Sequence, residues 1–184
     1  MKRAIVVLGC ILLAGPVFAQ SLGEKTGVNS VLGIAPTTED FVKEVAISDM
    51  FEIESSKLAE QKGTSQEKTF AQQMITDHTK TSNELKQMVN DGKVKAELPA
   101  ALDSSHQSKL DKLKDASGDD FSSDYNAYQV SGHKDAVSMF ERYAKEGDNA
   151  ELKGWAGRTL PTLQHHLELA QELGKAPSVG QSSK

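Results

Sequence analysis

The chain has 184 residues, of which 21 are basic, 26 are acidic and one is cysteine. The net charge of −5 argues against nucleic acid or an anionic membrane surface as a partner, because both repel acidic proteins. The one cysteine, Cys10, lies in the leader described next. The mature chain therefore cannot form disulfides, and thiol catalysis, cysteine-bound zinc and iron–sulfur clusters are excluded.

Residues 1–19 have the pattern of a secretory signal peptide. Lys2 and Arg3 give a basic start, the apolar stretch AIVVLGCILLAG follows, and small residues precede a cleavage site after Ala19. Removal of this leader leaves 19 basic and 26 acidic side chains. We predict export to the bacterial periplasm or envelope. The alternative, a lipoprotein anchored at Cys10, would leave only a short apolar stretch before the cysteine.

The mature chain divides into three parts by composition. Residues 20–36 are rich in glycine and small polar residues and predict a flexible lead, and residues 175–184 predict a disordered tail. Residues 37–174 form one predicted domain. No apolar run in the mature chain is long enough to predict a transmembrane segment.

Helical patterns run through nearly all of the domain, since Ala, Glu, Lys, Leu and Gln dominate and alternating β-branched runs are missing. Thr64 and Glu67 form the spacing of a capping box. Gly63 and Gly147 mark tight turns between helices. The predicted helices cover residues 38–62, 64–90, 103–116, 119–145 and 149–173.

These lengths predict an all-α fold, a ferritin-like four-helix bundle. Each long helix spans about 37 Å at 1.5 Å per residue. The first pair and the last pair of long helices are closely joined, whereas a long crossover carrying a short extra helix joins the pairs. Two hairpins linked by one long crossover is ferritin-like connectivity.

Each long helix has one ionisable residue within its apolar stripe. Glu54 lies between Ile47 and Leu58 at helical spacing, and His78 lies between Met74 and Leu85. His133 and His166 occupy corresponding positions in the last two helices. Neighbouring His165 points about 100° away from His166 and is expected to face solvent. The predicted inward set is Glu54, His78, His133 and His166.

One carboxylate and three imidazoles in a core are costly unless they satisfy one another or bind a cation. They predict a site for one transition-metal ion, which could be iron, manganese, zinc or copper. Asp77 could accept a hydrogen bond from a ligand histidine, and Tyr125 and Glu141 are further nearby candidates. The alternative is a set of polar pairs at two heights, because counting residues from the turns offsets the partners by about 7–9 Å.

Four motifs resemble a known family: FVKEVAISDMFEIESSKLA, FAQQMITDHTKT, YQVSGHKDAVSMFE and TLPTLQHHLELA. In this order they are similar to the bacterial exported domain of unknown function 4142, often labelled a predicted outer membrane protein. The resemblance covers residues 38–173 and implies a ferritin-like bundle in the cell envelope, without an established reaction. The chain lacks the Glu-x-x-His motif of di-iron bundles, which favours one ion over a carboxylate-bridged pair.

Three functions are compatible with these residues. The first is metal handling or redox and stress defence through the core histidines. The second is a non-enzymatic stress or interaction module of the cell envelope, in which the histidines are structural. The third is a pH sensor based on buried histidines. The sequence does not indicate a reaction, a protein partner or an oligomeric state.

Overall fold

The computed structural model describes residues 33–173 and residue 175, and it is helical without strands over this part of the chain. The all-α class is therefore confirmed. The predicted signal peptide, most of the predicted lead and most of the predicted tail lie outside the described residues. The helices are α1 (Thr38–Lys62), α2 (Ser65–Asn90), α3 (Ser104–Asp115), α4 (Gly118–Glu146) and α5 (Ala150–Leu173).

Local capping explains where the first two helices begin. The Thr37 side chain accepts a hydrogen bond from the Asp40 backbone N–H at the start of α1. Both hydrogen bonds of the predicted capping box between Thr64 and Glu67 are present at the start of α2. Gly63 separates the two helices, and a Cβ atom there would lie 2.7 Å from the Ala59 carbonyl oxygen. The tight turn therefore requires glycine at this position.

Helices α1 and α2 pack as one hairpin, and α4 and α5 pack as the other. Ser122 near the start of α4 donates to Glu67 near the start of α2. At the other end of the molecule, Tyr143 of α4 is hydrogen-bonded to Thr38 at the start of α1. Helix α4 therefore runs antiparallel to α1 and parallel to α2, so the segment between α2 and α4 crosses the length of the bundle.

The short helix α3 of this crossover covers the outer side of α1. Its Leu110 and Leu113 are buried, and the ring of His106 lies 5.4 Å from the ring of Phe51. The Lys62 ammonium group donates to the carbonyl groups of Leu113 and Ala116 at the end of α3, where a cation is favourable. Helix α1 is consequently buried on two sides, by the bundle interior and by α3.

The core consists of two apolar clusters separated by polar residues. The first cluster, at the end of the bundle where α1 starts, includes Phe41, Tyr143, Leu152 and Trp155. The second, towards the opposite end, includes Met74, Leu113, Phe121 and Tyr125. Between them lies what we call the polar layer, whose members are buried: Asp49, Glu52, His78, Gln129, His133 and His166.

No helix within the described residues is long and apolar enough to cross a bilayer.

Candidate metal centre

Three of the four predicted site residues come together in the polar layer. His78 of α2, His133 of α4 and His166 of α5 are 3%, 1% and 1% exposed. Their ring centroids form a nearly equilateral triangle with sides of 5.7, 5.5 and 5.4 Å. One ring nitrogen from each histidine lies within 4.8 Å of the other two. The three imidazoles are therefore placed as one cluster.

The offset along the bundle axis that residue counting predicts does not keep His133 and His166 apart. Measured from the observed helix ends, His133 lies 13 residues before Glu146 and His166 lies 16 residues after Ala150. That difference is about 4–5 Å of rise, which modest helix tilt accommodates. The three histidines therefore lie close together, and His78 and His166 each bond to an aspartate.

Each imidazole is held by one hydrogen bond to a carboxylate or backbone carbonyl oxygen. Nδ1 of His78 lies 2.8 Å from Oδ1 of Asp49, and Nε2 of His166 lies 2.9 Å from Oδ2 of Asp77. Nδ1 of His133 lies 2.9 Å from the carbonyl oxygen of Gln129. A carbonyl oxygen and an ionised carboxylate accept, so these three ring nitrogens carry the protons when Asp49 and Asp77 are ionised. Burial raises the pKa of Asp49, and the hydrogen bonds from His78 and Thr81 oppose that shift.

The opposite ring nitrogens have no hydrogen-bond partner among the described residues. They are Nε2 of His78, Nε2 of His133 and Nδ1 of His166, and all three are buried. In neutral imidazoles whose other nitrogen donates, each of these atoms presents a lone pair. One water molecule has two hydrogens and cannot donate to three acceptors, whereas a metal ion accepts all three lone pairs. The donor set therefore fits a transition-metal ion.

The prediction that Glu54 faces inward is wrong. Its side chain is 50% exposed and pairs at 2.7 Å with Lys57, also on the surface. The stripe used to place Glu54 includes Phe51, which belongs to the second apolar cluster and lies against His106 of α3 and Tyr128 of α4. Helix α1 thus has two buried sides, and the more apolar one does not face the histidines.

The inward side of α1 instead provides Asp49 and Glu52. They belong to a series with alternating spacings of three and four residues, which is the spacing of an interior helix face. Half of this series is polar, so a search for apolar stripes misses it. The number of residues from the Gly63 turn could have identified Asp49 as a neighbour of His78. Asp49 lies 14 residues before this turn, and His78 lies 15 after it. The buried series is Val42, Val45, Asp49, Glu52, Ser56 and Ala59.

The other expected neighbours separate into those that reach the cluster and those that do not. Asp77 accepts from His166, as predicted, and its side chain remains 30% exposed. Tyr125 instead bonds with Ser56 at 3.1 Å within the second apolar cluster, where burial raises its pKa. Glu141 is exposed and accepts from Gln164. His165 is 56% exposed, which confirms that it faces outward.

Glu52 adds a buried negative charge beside the cluster. It is 2% exposed, and its Oε2 accepts from Nε2 of Gln129 at 2.6 Å. A Cβ atom on Gly132 would lie 3.2 Å from Oε1 of Glu52, so the absence of a side chain there makes room for the carboxylate. Gln129 therefore positions both Glu52, through its amide, and His133, through its backbone carbonyl.

Burial and charge shift the histidine pKa values in different directions. Burial, together with the charge of His78, lowers the pKa of His166 to about 4. Burial also lowers the pKa of His133. Burial opposes protonation of His78 as well, but the hydrogen bond and charge of Asp49 outweigh it and raise that pKa. His133 and His166 are thus held neutral, which is the form that binds metal.

A cleft of about 420 Å³ lies between α2 and α5 and reaches the cluster. His78 and His166 form part of its wall, beside Asp77, Thr81 and Thr162. The charged residues of the wall include Lys80, Glu84 and Arg158. The buried imidazoles therefore border a space that opens to solvent.

Comparison with known proteins identifies the family. Residues 23–173 match the family described as domain of unknown function (DUF4142). The chain belongs to this family. No protein of curated function and no solved structure gives a significant match. Family membership thus confirms the resemblance seen in the sequence motifs, and the arguments about function depend on the geometry of the chain itself.

Proposed function

We propose that this DUF4142 protein binds one transition-metal ion through Nε2 of His78, Nε2 of His133 and Nδ1 of His166. The observation that carries the proposal is a cluster of three buried histidines in which one ring nitrogen of each lies within 4.8 Å of the other two and one ring nitrogen of each has no partner among the described residues. Each opposite nitrogen is occupied by an acceptor on the protein, so the ligand tautomers are prepared before an ion arrives. Such acceptors typically orient ligand histidines in metal sites.

The donor set narrows the range of ions. Three imidazole nitrogens suit zinc, copper and iron, whereas manganese favours carboxylate and other oxygen ligands. Glu54, the one carboxylate predicted as a ligand, lies on the surface. We therefore favour zinc, copper or iron over manganese.

The surrounding charges support a cation at this position. Asp49 and Glu52 are buried, and Asp77 is half-buried at the edge of the cleft. A divalent ion held by three neutral imidazoles brings two positive charges into a low-dielectric core, which is unfavourable without nearby negative charge. These carboxylates reduce that cost without occupying the ligand atoms.

The proposed role is metal handling or redox and stress defence in the bacterial envelope, by a ferritin-like bundle. A bound ion would act as a Lewis acid or redox centre. The chain's own contribution is to orient three imidazoles, whose N–H groups donate to Asp49, Asp77 and the carbonyl oxygen of Gln129, and to exclude bulk water. Export is supported by the signal-peptide pattern of residues 1–19.

A second candidate function follows from the Asp49–His78 pair. If His78 is protonated, its Nε2–H can donate to a neighbouring imidazole lone pair, and the polar layer can partly satisfy itself without metal. The histidines would then specify packing in a non-enzymatic interaction module of the envelope. The raised pKa of His78 favours this alternative.

The test is the metal content of the mature chain, produced by export to a periplasm without a histidine tag. We expect about one zinc, copper or iron ion per chain by mass spectrometry, as one three-nitrogen site implies. A variant carrying His133→Ala and His166→Ala should lose it. His165→Ala is the matched control, because it removes an adjacent exposed histidine from the same helix and should retain the metal. A metal-free wild-type protein that also fails to take up these ions when they are added would refute the proposal.

A further inference from the structure

The metal site described above has three protein ligands, and its surroundings differ between its two sides. On one side, Phe70 of the second apolar cluster lies 6.5 Å from His133 between ring centroids. On the other, His78 and His166 border the cleft between α2 and α5. A three-histidine zinc site commonly keeps one coordination position for water or substrate. The side of the cluster on which such a ligand could arrive is therefore the cleft.

Resting on the proposed metal centre, we propose that the α2–α5 cleft admits a small hydrogen-bonding ligand that coordinates the ion through an oxygen or nitrogen atom. Two observations support this inference independently. The cleft reaches two of the three histidines. Nε2 of His78 and Nδ1 of His166 are buried and have no hydrogen-bond partner among the described residues.

The burial of the histidines limits the size of this ligand. His78 is 3% exposed and His166 is 1% exposed, although the cleft beside them has a volume of about 420 Å³. Little of either imidazole is accessible from the cleft, and we call the part of the cleft beside these two histidines its narrow end. A ligand of two or three heavy atoms fits this narrow end better than a ring or a branched molecule.

The residues around the narrow end favour a polar ligand. Asp77 presents a half-exposed carboxylate whose Oδ2 already accepts from His166. The Thr81 hydroxyl donates to Asp49, which in turn holds His78. Thr162 is exposed on α5, one helical turn before His166, and also lines the cleft. A ligand at the ion would therefore lie among hydroxyl and carboxylate groups that can exchange hydrogen bonds with it.

A substitution at Thr162 can close the cleft without replacing a proposed ligand residue. Thr162→Trp places an indole on the wall one turn from His166, where it should occupy the narrow end. Gln164→Trp is the matched control, because Gln164 is an exposed residue of the same helix that bonds towards Glu141 of α4. Both variants add the same bulk to α5, but only Thr162→Trp adds it to the cleft.

The experiment uses the full mature protein loaded with cobalt(II), with azide as a small probe and imidazole as a larger one. Metal content is measured first, and probe binding is followed by the visible absorption of cobalt. We expect azide to change the spectrum of wild type and Gln164→Trp equally. Thr162→Trp should retain one cobalt ion but bind azide about tenfold more weakly, a loss of about 1.4 kcal/mol. Imidazole should leave the wild-type spectrum unchanged.

The outcomes separate this inference from the metal proposal. Failure of wild type to bind cobalt or any native metal would overturn both. Stoichiometric cobalt with no response to azide, or equal azide affinity in Thr162→Trp and wild type, would overturn the cleft inference and leave the metal site standing. An imidazole response as strong as the azide response would overturn the limit on ligand size.

Discussion

The apolar clusters and the polar layer of the bundle differ in whether their buried groups have partners. In the first cluster, the rings of Phe41 and Tyr143 stack at 4.0 Å, and the Tyr143 hydroxyl is bonded to Thr38. In the polar layer, three histidine nitrogens are buried without a partner among the described residues. The well-packed clusters favour the folded state. Burying unpartnered nitrogens in the polar layer is unfavourable for the free energy of folding, so stability alone does not explain that layer. Sites that break packing rules in this way are typically functional.

Disruption of an apolar cluster should have the largest effect on folding. Phe41→Ala removes a fully buried ring in contact with Tyr143, Phe140 and Trp155. We expect a loss of about 3–5 kcal/mol in the free energy of unfolding, measured by urea denaturation of the metal-free protein. Any molecules that remain folded should still bind metal. Loss of less than about 1 kcal/mol would show that the cluster is not a major source of stability.

The two aspartate–histidine pairs predict a graded effect within the polar layer. Asp49→Ala leaves His78 buried beside an empty space and also removes the acceptor of Thr81. We expect it to cost about 3 kcal/mol in the free energy of unfolding. Asp77→Ala should cost about 1 kcal/mol, because Asp77 is partly exposed and water can replace it. Equal losses in the two variants would contradict the assigned difference in burial.

Metal binding should stabilise the folded chain, since the three ligands are brought together only by folding. At a free metal concentration of one hundred times Kd, the expected gain is about 2.7 kcal/mol. It should appear as a shift of the urea midpoint for wild type and His165→Ala. The variant carrying His133→Ala and His166→Ala should show no shift, and a chelator should reverse the wild-type shift. Stabilisation of that double variant would indicate that the metal binds elsewhere.

The smallest expected effect is a difference in metal affinity between variants of the buried Glu52 and the exposed Glu54. Glu52→Gln keeps an acceptor for Gln129 but removes a negative charge near His78 and His133. We expect it to weaken metal affinity about tenfold, measured by competition with a chelator of known affinity. Glu54→Gln is the matched control and should leave the affinity unchanged, because its partner is the exposed Lys57. A loss of metal affinity in Glu54→Gln but not in Glu52→Gln would indicate that Glu54 is the functional residue.

The histidine positions were predictable because each lies within a regular stripe of its own helix. Helix α1 behaves differently, since its interior series alternates apolar residues with Asp49, Glu52 and Ser56. Ile47 and Phe51 belong to a more apolar buried side, on which Phe51 lies against His106 of α3. Periodicity alone cannot tell which of two buried sides faces the bundle interior, because both satisfy the same helical spacing. That ambiguity explains why Glu54 was predicted and Asp49 and Glu52 were missed.

The sequence by itself determined the all-α class, the five helices, their turns and the inward direction of three histidines. Those features follow from local propensities, capping residues and helical periodicity, which act over neighbouring residues. Only the tertiary structure decided that the histidines meet at one level, which of their ring nitrogens have a partner and which acids hold them. These depend on helix tilt, the path of the crossover and contacts between residues far apart in the chain, such as His166 with Asp77. Short-range patterns do not encode such distances, because several packings of the same helices satisfy them equally.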